Sequence, residues 1–422
     1  MTLRKTFCPA NVLLPKAGVD MTKWSVIACD QYTSQPAYWE EVEKLVGDAP
    51  STLRLMVPES FLEEAGIEER IAKVNRAMED YLAAGLFEEA QGYLYVERTL
   101  HSGAVRRGLV GMLDLEDYDY TPGSCSPVRA TEGTILERIP PRVKVREGAA
   151  LELPHIMVLI DDREGAVIEP LAAEKGKMRK CYDFPLMQGA GHIAGYLVGE
   201  DAAAGIDRAL EMLADPAVFR AKYHMEGAAP LVFAVGDGNH SLATAKTCYE
   251  RLKRELGEEN AKAHPARYAL VELVNIHDES LHFEPIHRVY FDTEPEKLLA
   301  ALGERYRLGA PGEAGQCIRY VTQKGEGAVV ILNPSSHLAV GSLQNFLDEF
   351  GREQGGKVDY IHGEEAVREL GSQPGAIGFL VPDVEKNDFF ASILSDGVLP
   401  RKTFSMGHAD DKRFYLECRR IR

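Results

Sequence analysis

The stretch that decides the fold is Leu231-Val232-Phe233-Ala234-Val235-Gly236-Asp237-Gly238-Asn239-His240-Ser241. An unbroken apolar run of strand-forming residues empties into Gly-Asp-Gly-Asn-His, and Leu242, Ala245, Tyr249, Leu252 and Leu256 then follow at helical spacing. The reading is a buried strand, a tight polar turn and a helix. Asn239 and Ser241 are both competent N-caps, and Gly236 and Gly238 admit backbone angles that a β-carbon forbids. The first turn of such a helix offers free N–H groups and the positive end of the helix dipole, so an anion, usually phosphate, is its natural guest. Asp237 adds a carboxylate for a metal or a proton, and His240 an imidazole that titrates near neutrality. The plain alternative is that Asp237 and Asn239 only shape a turn. Two glycines, an aspartate, a histidine and a serine within six residues, at the carboxyl end of a buried strand, favour a site.

Outward from this stretch, 422 residues predict two domains, drawn at residues 1–290 and 291–422. Lys and Arg number 48 against 65 Asp and Glu, a net charge of −17, which argues against a surface built for nucleic acid or anionic lipid. No apolar run reaches the length of a membrane span and the amino terminus lacks a signal-peptide core, so the expected location is the cytoplasm. Seven scattered cysteines without a Cys-x-x-Cys pair read as reduced thiols.

Before the central stretch, Trp24 to Ala28 is a short apolar strand ending near Asp30, and Pro36 suits the first turn of a helix. Asp30 either caps that turn or presents a carboxylate. An amphipathic helix from near Glu59, interrupted at Gly66, stops at Gly85; Tyr93–Arg98 and Arg107–Leu113 form a hairpin. Residues 128–142 read as an irregular mixed-charge loop in which Glu132 stands between Arg129 and Arg138, a way to hold a phosphate beside a proton acceptor. Gly189-Ala190-Gly191-His192-Ile193-Ala194 meets a dinucleotide pattern formally, but no strand precedes it and no helix follows. One helix is expected over Asp201 to Tyr223. Beyond the centre, Arg267–Asn275 and Leu281–Tyr290 read as strands. His277, His282 and His287 are spaced by five, which suits no joint chelate, and His287-Arg288 is the better pocket wall. From about Asp292 the pattern becomes a smaller α+β region that ends in Arg401-Lys402-Thr403, two cations and a hydroxyl suited to phosphate.

With these residues in view, the chain resembles the large prokaryotic family catalogued as domain of unknown function 1015, whose hallmark is Asp-Gly-His-His-Arg followed by a helix. The hallmark stands here as Asp237-Gly238-Asn239-His240-Ser241, and the segments Ala84–Phe87, Arg107–Gly111, Arg129–Arg138, Gly191-His192, Pro285–Val289 and Leu399–Thr403 follow in the family's order. The turn is also similar to that of the ParB and sulfiredoxin superfamily, which includes proteins that bind CTP, ATP-using sulfiredoxins and an ADP-dependent serine kinase. The resemblance implies a mixed α/β fold of the α+β class, with a ParB/sulfiredoxin-like nucleotide-binding core and a smaller carboxy-terminal region. Two departures stand out: Ser241 replaces the motif's arginine and Asn239 its first histidine. Lys246, Arg129, Arg138 and Lys402 are the candidates to supply the missing cation.

The resemblance therefore implies a nucleotide-dependent phosphotransferase acting on a small hydroxylated metabolite, with ATP or ADP, CTP as a further option, and Mg²⁺. In that assignment the phosphates rest on Gly236, Asp237, Gly238, Asn239, His240 and Ser241, with Asp237 toward the metal. Glu132 or Asp30 takes the acceptor proton, and Arg129, Arg138, Arg401 and Lys402 neutralise charge, with Lys246, His287 and Arg288 as further binding candidates. A nucleotide-gated binding module, as a monomer or a homodimer, and a metal-dependent hydrolase using Asp30, Asp237, His240 and Glu132 are the rival readings. No nucleic acid or membrane partner is expected.

Overall fold

The computed structural model describes residues 5–422. They fall into two compact units: the chain up to Ala130 with Thr134–Leu281 and His408–Arg422, and Thr131–Gly133 with His282–Gly407.

Among the described residues the first unit is built on a ten-stranded sheet. Its strands are β1 (Phe7–Cys8), β2 (Leu94–Thr99), β3 (Val105–Asp114), β4 (Tyr118–Asp119), β5 (Val128–Ala130), β6 (Met157–Ile160), β7 (Arg179–Pro185), β8 (His192–Leu197), β9 (Phe233–Asp237) and β10 (Tyr268–Asn275). They lie in the order β7-β8-β2-β3-β10-β6-β9-β5-β4, with β1 added along β3. β6 runs parallel to β10 but antiparallel to β9, and β9 runs parallel to β5, so the sheet is mixed. The apolar stretch that starts at Leu231 is thus an inner strand with both faces covered, which is why it reads as a continuous run and not as an alternation.

Three helices of this unit are α1 (Ile67–Ala83), α2 (Ile139–Glu147) and α3 (Asn239–Leu256). α3 lays Leu242, Ala245 and Tyr249 on one face of the sheet, against Val235, Val158, Val271 and Leu273. The other face carries a second apolar layer in which Val74 and Met78 of α1 join Trp24, Val96, Val110 and Leu416. Two expected spans differ. The segment read as an irregular loop is β5, followed by α2, whose Pro140 and Pro141 occupy the first turn, where a missing N–H costs nothing. The helix expected over 201–223 is two, Glu200–Ala214 and Pro216–Tyr223, because Asp215 takes extended angles and caps the second through the amides of Ala217 and Val218.

The last residues return to the first unit. Phe414–Tyr415 pairs with Val26–Ile27, Cys418 bridges Leu13, and Arg419–Arg420 pairs with Leu151–Glu152. Trp24 Nε1 donates to Leu416 O at 2.9 Å. The segment carries Arg413 onto Glu272, a glutamate 1% exposed in the middle of β10. Room for that carboxylate comes from Gly108, where a β-carbon would stand 2.1 Å from Glu272 Oε1.

The second unit holds a seven-stranded sheet. Its strands are β11 (Phe283–Phe291), β12 (Leu308–Gly309), β13 (Gln316–Thr322), β14 (Gly325–Ile331), β15 (Lys357–His362), β16 (Ala376–Leu380) and β17 (Phe404–Met406). The order is β12-β14-β13-β16-β11-β15, with β17 added along β11. A helix, α4 (Ala339–Gln354), packs Val340, Leu343, Phe346 and Leu347 against Ile318, Ile377 and Phe379 of this sheet.

Candidate functional site

β9 ends at Asp237 and α3 starts at Asn239, so Gly238 alone makes the turn. It takes φ +78°, and a β-carbon there would meet Ile156 Cα at 3.0 Å. Only glycine fits this backbone against that neighbour. Gly238 is also the N-cap, and no side chain caps the helix. The two expected caps point elsewhere: Asn239 Nδ2 donates back to Val235 O at 3.2 Å, and Ser241 Oγ lies 3.0 Å from His155 Nε2. The first-turn amides of His240 and Ser241 consequently have no intrahelical acceptor, at the positive end of an 18-residue helix.

Charged groups gather at this turn. Asp237 Oδ1 accepts from Gly238 N at 3.0 Å, and its Oδ2 lies 3.2 Å from Lys412 Nζ. Burial pushes the Asp237 carboxyl up, but Lys412, together with the Gly238 amide, outweighs it and holds it below the usual carboxylate range. His155 is buried; its Nδ1 is 2.7 Å from the Tyr415 hydroxyl and its Nε2 3.8 Å from Asp30 Oδ2. Tyr415 Oη in turn lies 3.1 Å from Cys29 Sγ. Burial, with Asp30 and Glu59 nearby, keeps that thiol protonated.

His240, half-buried beside them, is pushed down to about 4 by burial and by the guanidinium groups of Arg142 and Arg138, against a smaller pull from Asp30. It is a neutral imidazole at neutral pH. Ile135 N donates to its Nε2 at 3.4 Å, which leaves Nδ1 as its donor nitrogen. A stability prediction follows. The unfolded chain binds this proton near the ordinary 6.5, so the unfolded state takes up more protons between pH 6.5 and about 4. Stability is therefore lost as pH falls through that window. Urea titrations of His240→Gln at neutral and acid pH should show a flatter acid loss than the wild-type chain; an unchanged slope contradicts the buried neutral imidazole.

Within the first unit the fold thus brings together Asp30, Asp237, Gly238, His240 and Ser241 of the expected set. Arg138 is exposed next to them, and Arg142 is committed to Glu59 and to Arg138 O. Other expected cations are spent elsewhere. Lys246 Nζ donates to Leu115 O at 2.8 Å and pairs with Glu250 at 2.9 Å. Arg129 bonds Ser126 O at 2.7 Å and Ala229 O at 2.9 Å. Both hold loops, because their helix face or strand position points them there. The remaining expected residues belong to the second unit. Glu132 bridges Leu399. His287 Nδ1 accepts from Val381 N at 3.2 Å. Arg288, 0% exposed, bonds Gln344 and the carbonyls of Arg401 and Lys402, so it organises the basic loop from beneath. Arg401 Nε donates to Tyr360 at 2.7 Å, and Lys402 is exposed.

Asp237 as a metal ligand meets a competitor. Its oxygens are taken by Lys412 and Gly238, and no group of three or more metal-ligating side chains occurs among the described residues. Lys412, His155 and Tyr415 were not legible in sequence, since His155 follows Pro154 without a motif and the other two arrive from the far end of the chain. A second polar cluster lies at the other end of β6. Asp161 there is bonded by His277 at 2.6 Å, Tyr223 at 2.6 Å and Lys222 at 2.9 Å. Burial pushes its carboxyl up, yet these partners bring it down to about 2. A carboxylate so fully engaged ties the Pro216–Tyr223 helix to the sheet.

No helix among the described residues is long and apolar enough to cross a membrane. No curated protein matches the chain. Among solved structures, it is similar to a variant of a free serine kinase in complex with AMP, at 10% identity over 72% of this chain and 90% of that one, with a TM-score of 0.39. A variant of a free serine kinase in complex with ADP matches at the same identity and coverage, with a TM-score of 0.38. SbnI with a C-terminal truncation, from Staphylococcus aureus, is 10% identical over 71% of this chain and 83% of that one, with a TM-score of 0.35. The sequence model of the family described as "Protein of unknown function (DUF1015)" matches residues 13–350. By that match, over most of its length, the chain belongs to the DUF1015 family.

Proposed function

We propose that the chain binds the phosphates of a nucleoside di- or triphosphate at the first turn of α3 and transfers a phosphoryl group to a small hydroxylated metabolite. The observation that carries this reading is the pair of first-turn amides, on His240 and Ser241, set beside the Lys412 ammonium and within one cluster with the Asp30 carboxylate. Phosphoryl transfer needs positioning, charge neutralisation and a proton acceptor, and each has a candidate within the first unit. The amides and His240 Nδ1–H hold phosphate oxygens; Lys412 and Arg138 neutralise charge; Asp30 takes the acceptor proton. Lys412 is thus the stand-in for the motif's absent arginine. Mg²⁺ would come with the nucleotide, held chiefly by its phosphates and waters, and would offset phosphate charge; a dedicated protein cage is not needed for that.

Calorimetric titration with ATP, ADP and CTP, each with Mg²⁺, tests the reading. Lys412→Ala removes one charge-assisted contact, about 1.5–3 kcal/mol, which is a loss of roughly ten- to a hundredfold in affinity. Equal affinity in the variant would remove Lys412 from the site. Absence of binding by every nucleotide would remove the reading itself.

A further inference from the structure

Binding of phosphate through backbone amides leaves the hydroxyl of Ser241 without a task, and the residues around it give it one. Ser241 Oγ is 3.0 Å from His155 Nε2, and His155 is 6% exposed. The far side of that imidazole sets its tautomer. Tyr415 Oη gives its own proton to Cys29 Sγ at 3.1 Å and accepts the Cys29 amide at 3.3 Å. Its oxygen lies 2.7 Å from His155 Nδ1. In the tautomer that carries its proton on Nδ1, facing that oxygen, Nε2 turns its lone pair to Ser241. A serine hydroxyl bonded to an acceptor imidazole is an activated nucleophile, and here it stands on the same turn as the free amides. Asp30 Oδ2, 3.8 Å from Nε2, is placed to stabilise the imidazolium that forms when Nε2 takes the proton.

We infer that Ser241 accepts the γ-phosphoryl group of a nucleoside triphosphate as a covalent phosphoserine; the inference rests on the nucleotide reading of the turn. The Oγ–P bond forms as the bond from that phosphorus to the bridging oxygen breaks. The nucleoside diphosphate leaves with the electron pair, and the hydroxyl proton passes to His155 Nε2. In the second half the acceptor hydroxyl attacks the phosphoserine and gives its proton to Asp30, and Ser241 Oγ departs and recovers its proton from His155. His155 acts on the reacting oxygen directly. Tyr415 is a positioning residue, since it works only by fixing the tautomer of His155.

The test incubates the full chain with ATP labelled in its γ-phosphoryl group, without acceptor, followed by an acid quench, intact-mass measurement and peptide mapping. One acid-stable phosphoryl group per chain is expected, on Ser241. It should be lost in Ser241→Ala and form more slowly in His155→Gln, with the same residue labelled. In Tyr415→Phe the pH profile of labelling should shift, because nothing then holds the Nδ1 proton, whereas a packing role alone would leave the profile in place. Label on another residue, or undiminished labelling in His155→Gln, overturns the inference. If ATP binds and is consumed with acceptor present while Ser241 stays unmodified, the covalent step fails and direct transfer stands. If no nucleotide binds the wild-type chain, the nucleotide reading fails and the inference falls with it.

Discussion

Asp30→Asn should lower the turnover of phosphoryl transfer by about 10²- to 10⁴-fold, the usual worth of a positioned general base. Asparagine keeps the size of the side chain and an oxygen for the Gln31 amide, which donates to Asp30 Oδ1 at 2.9 Å. What it loses is the capacity to take a proton and to offset positive charge on His155. Steady-state kinetics with saturating nucleotide should show the loss in kcat, with KM for the nucleotide little changed. Undiminished kcat would move the proton acceptor elsewhere.

The second large effect is on stability. Arg413, 3% exposed, bonds the carboxylates of Glu272 and Glu417 and donates to Pro154 O at 2.9 Å. Burial works against its charge, but Glu417 and Glu272 more than compensate and raise its proton affinity. Arg413→Ala leaves two buried carboxylates, with Tyr182 on Glu417 at 2.6 Å and Arg106 4.0 Å from Glu272 as what remains. Breaking a buried pair from one side costs about 3–5 kcal/mol. Both tryptophans, Trp24 and Trp39, lie in the core of the first unit, so fluorescence-monitored urea unfolding reads this unit by itself. Adding Glu272→Gln and Glu417→Gln to the variant should recover part of the loss, because the stranded charges go with it. A loss below about 1 kcal/mol, the worth of an exposed pair, would contradict the network.

The two effects meet in the segment that sequence could not place. Lys412 and Arg413 are adjacent, and the first reaches the Asp237 turn while the second reaches the middle of β10. Nothing local in Asp-Lys-Arg-Phe-Tyr announces either partner, since both contacts span well over a hundred residues. The central strand, turn and helix were legible for the opposite reason. Their signals are local: an apolar run long enough for a strand, glycine where φ must be positive, and a three-to-four spacing that starts at Leu242. The missing arginine was legible as an absence, but the arrival of Lys412 beside Asp237 was not. Lys246 lies on the same helix, yet its side chain reaches the other way, to Leu115 O and Glu250. Asn239 and Ser241 read as caps by type, although neither side chain caps the helix: they turn to Val235 O and His155 instead. The expectation of a ParB/sulfiredoxin-like core was drawn from the turn alone, whereas the DUF1015 membership rests on a family match over residues 13–350.

Amide hydrogen exchange of the full chain, with and without saturating ADP or ATP and Mg²⁺, tests the central claim most directly. If phosphate sits on the first turn of α3, the peptide covering Asp237 to Leu242 gains protection, because the open amides of His240 and Ser241 acquire acceptors. The Lys412→Ala chain should need more nucleotide for the same protection. Unchanged exchange in that peptide at saturating nucleotide, or protection confined to the Asp161 end of β6, would contradict the account.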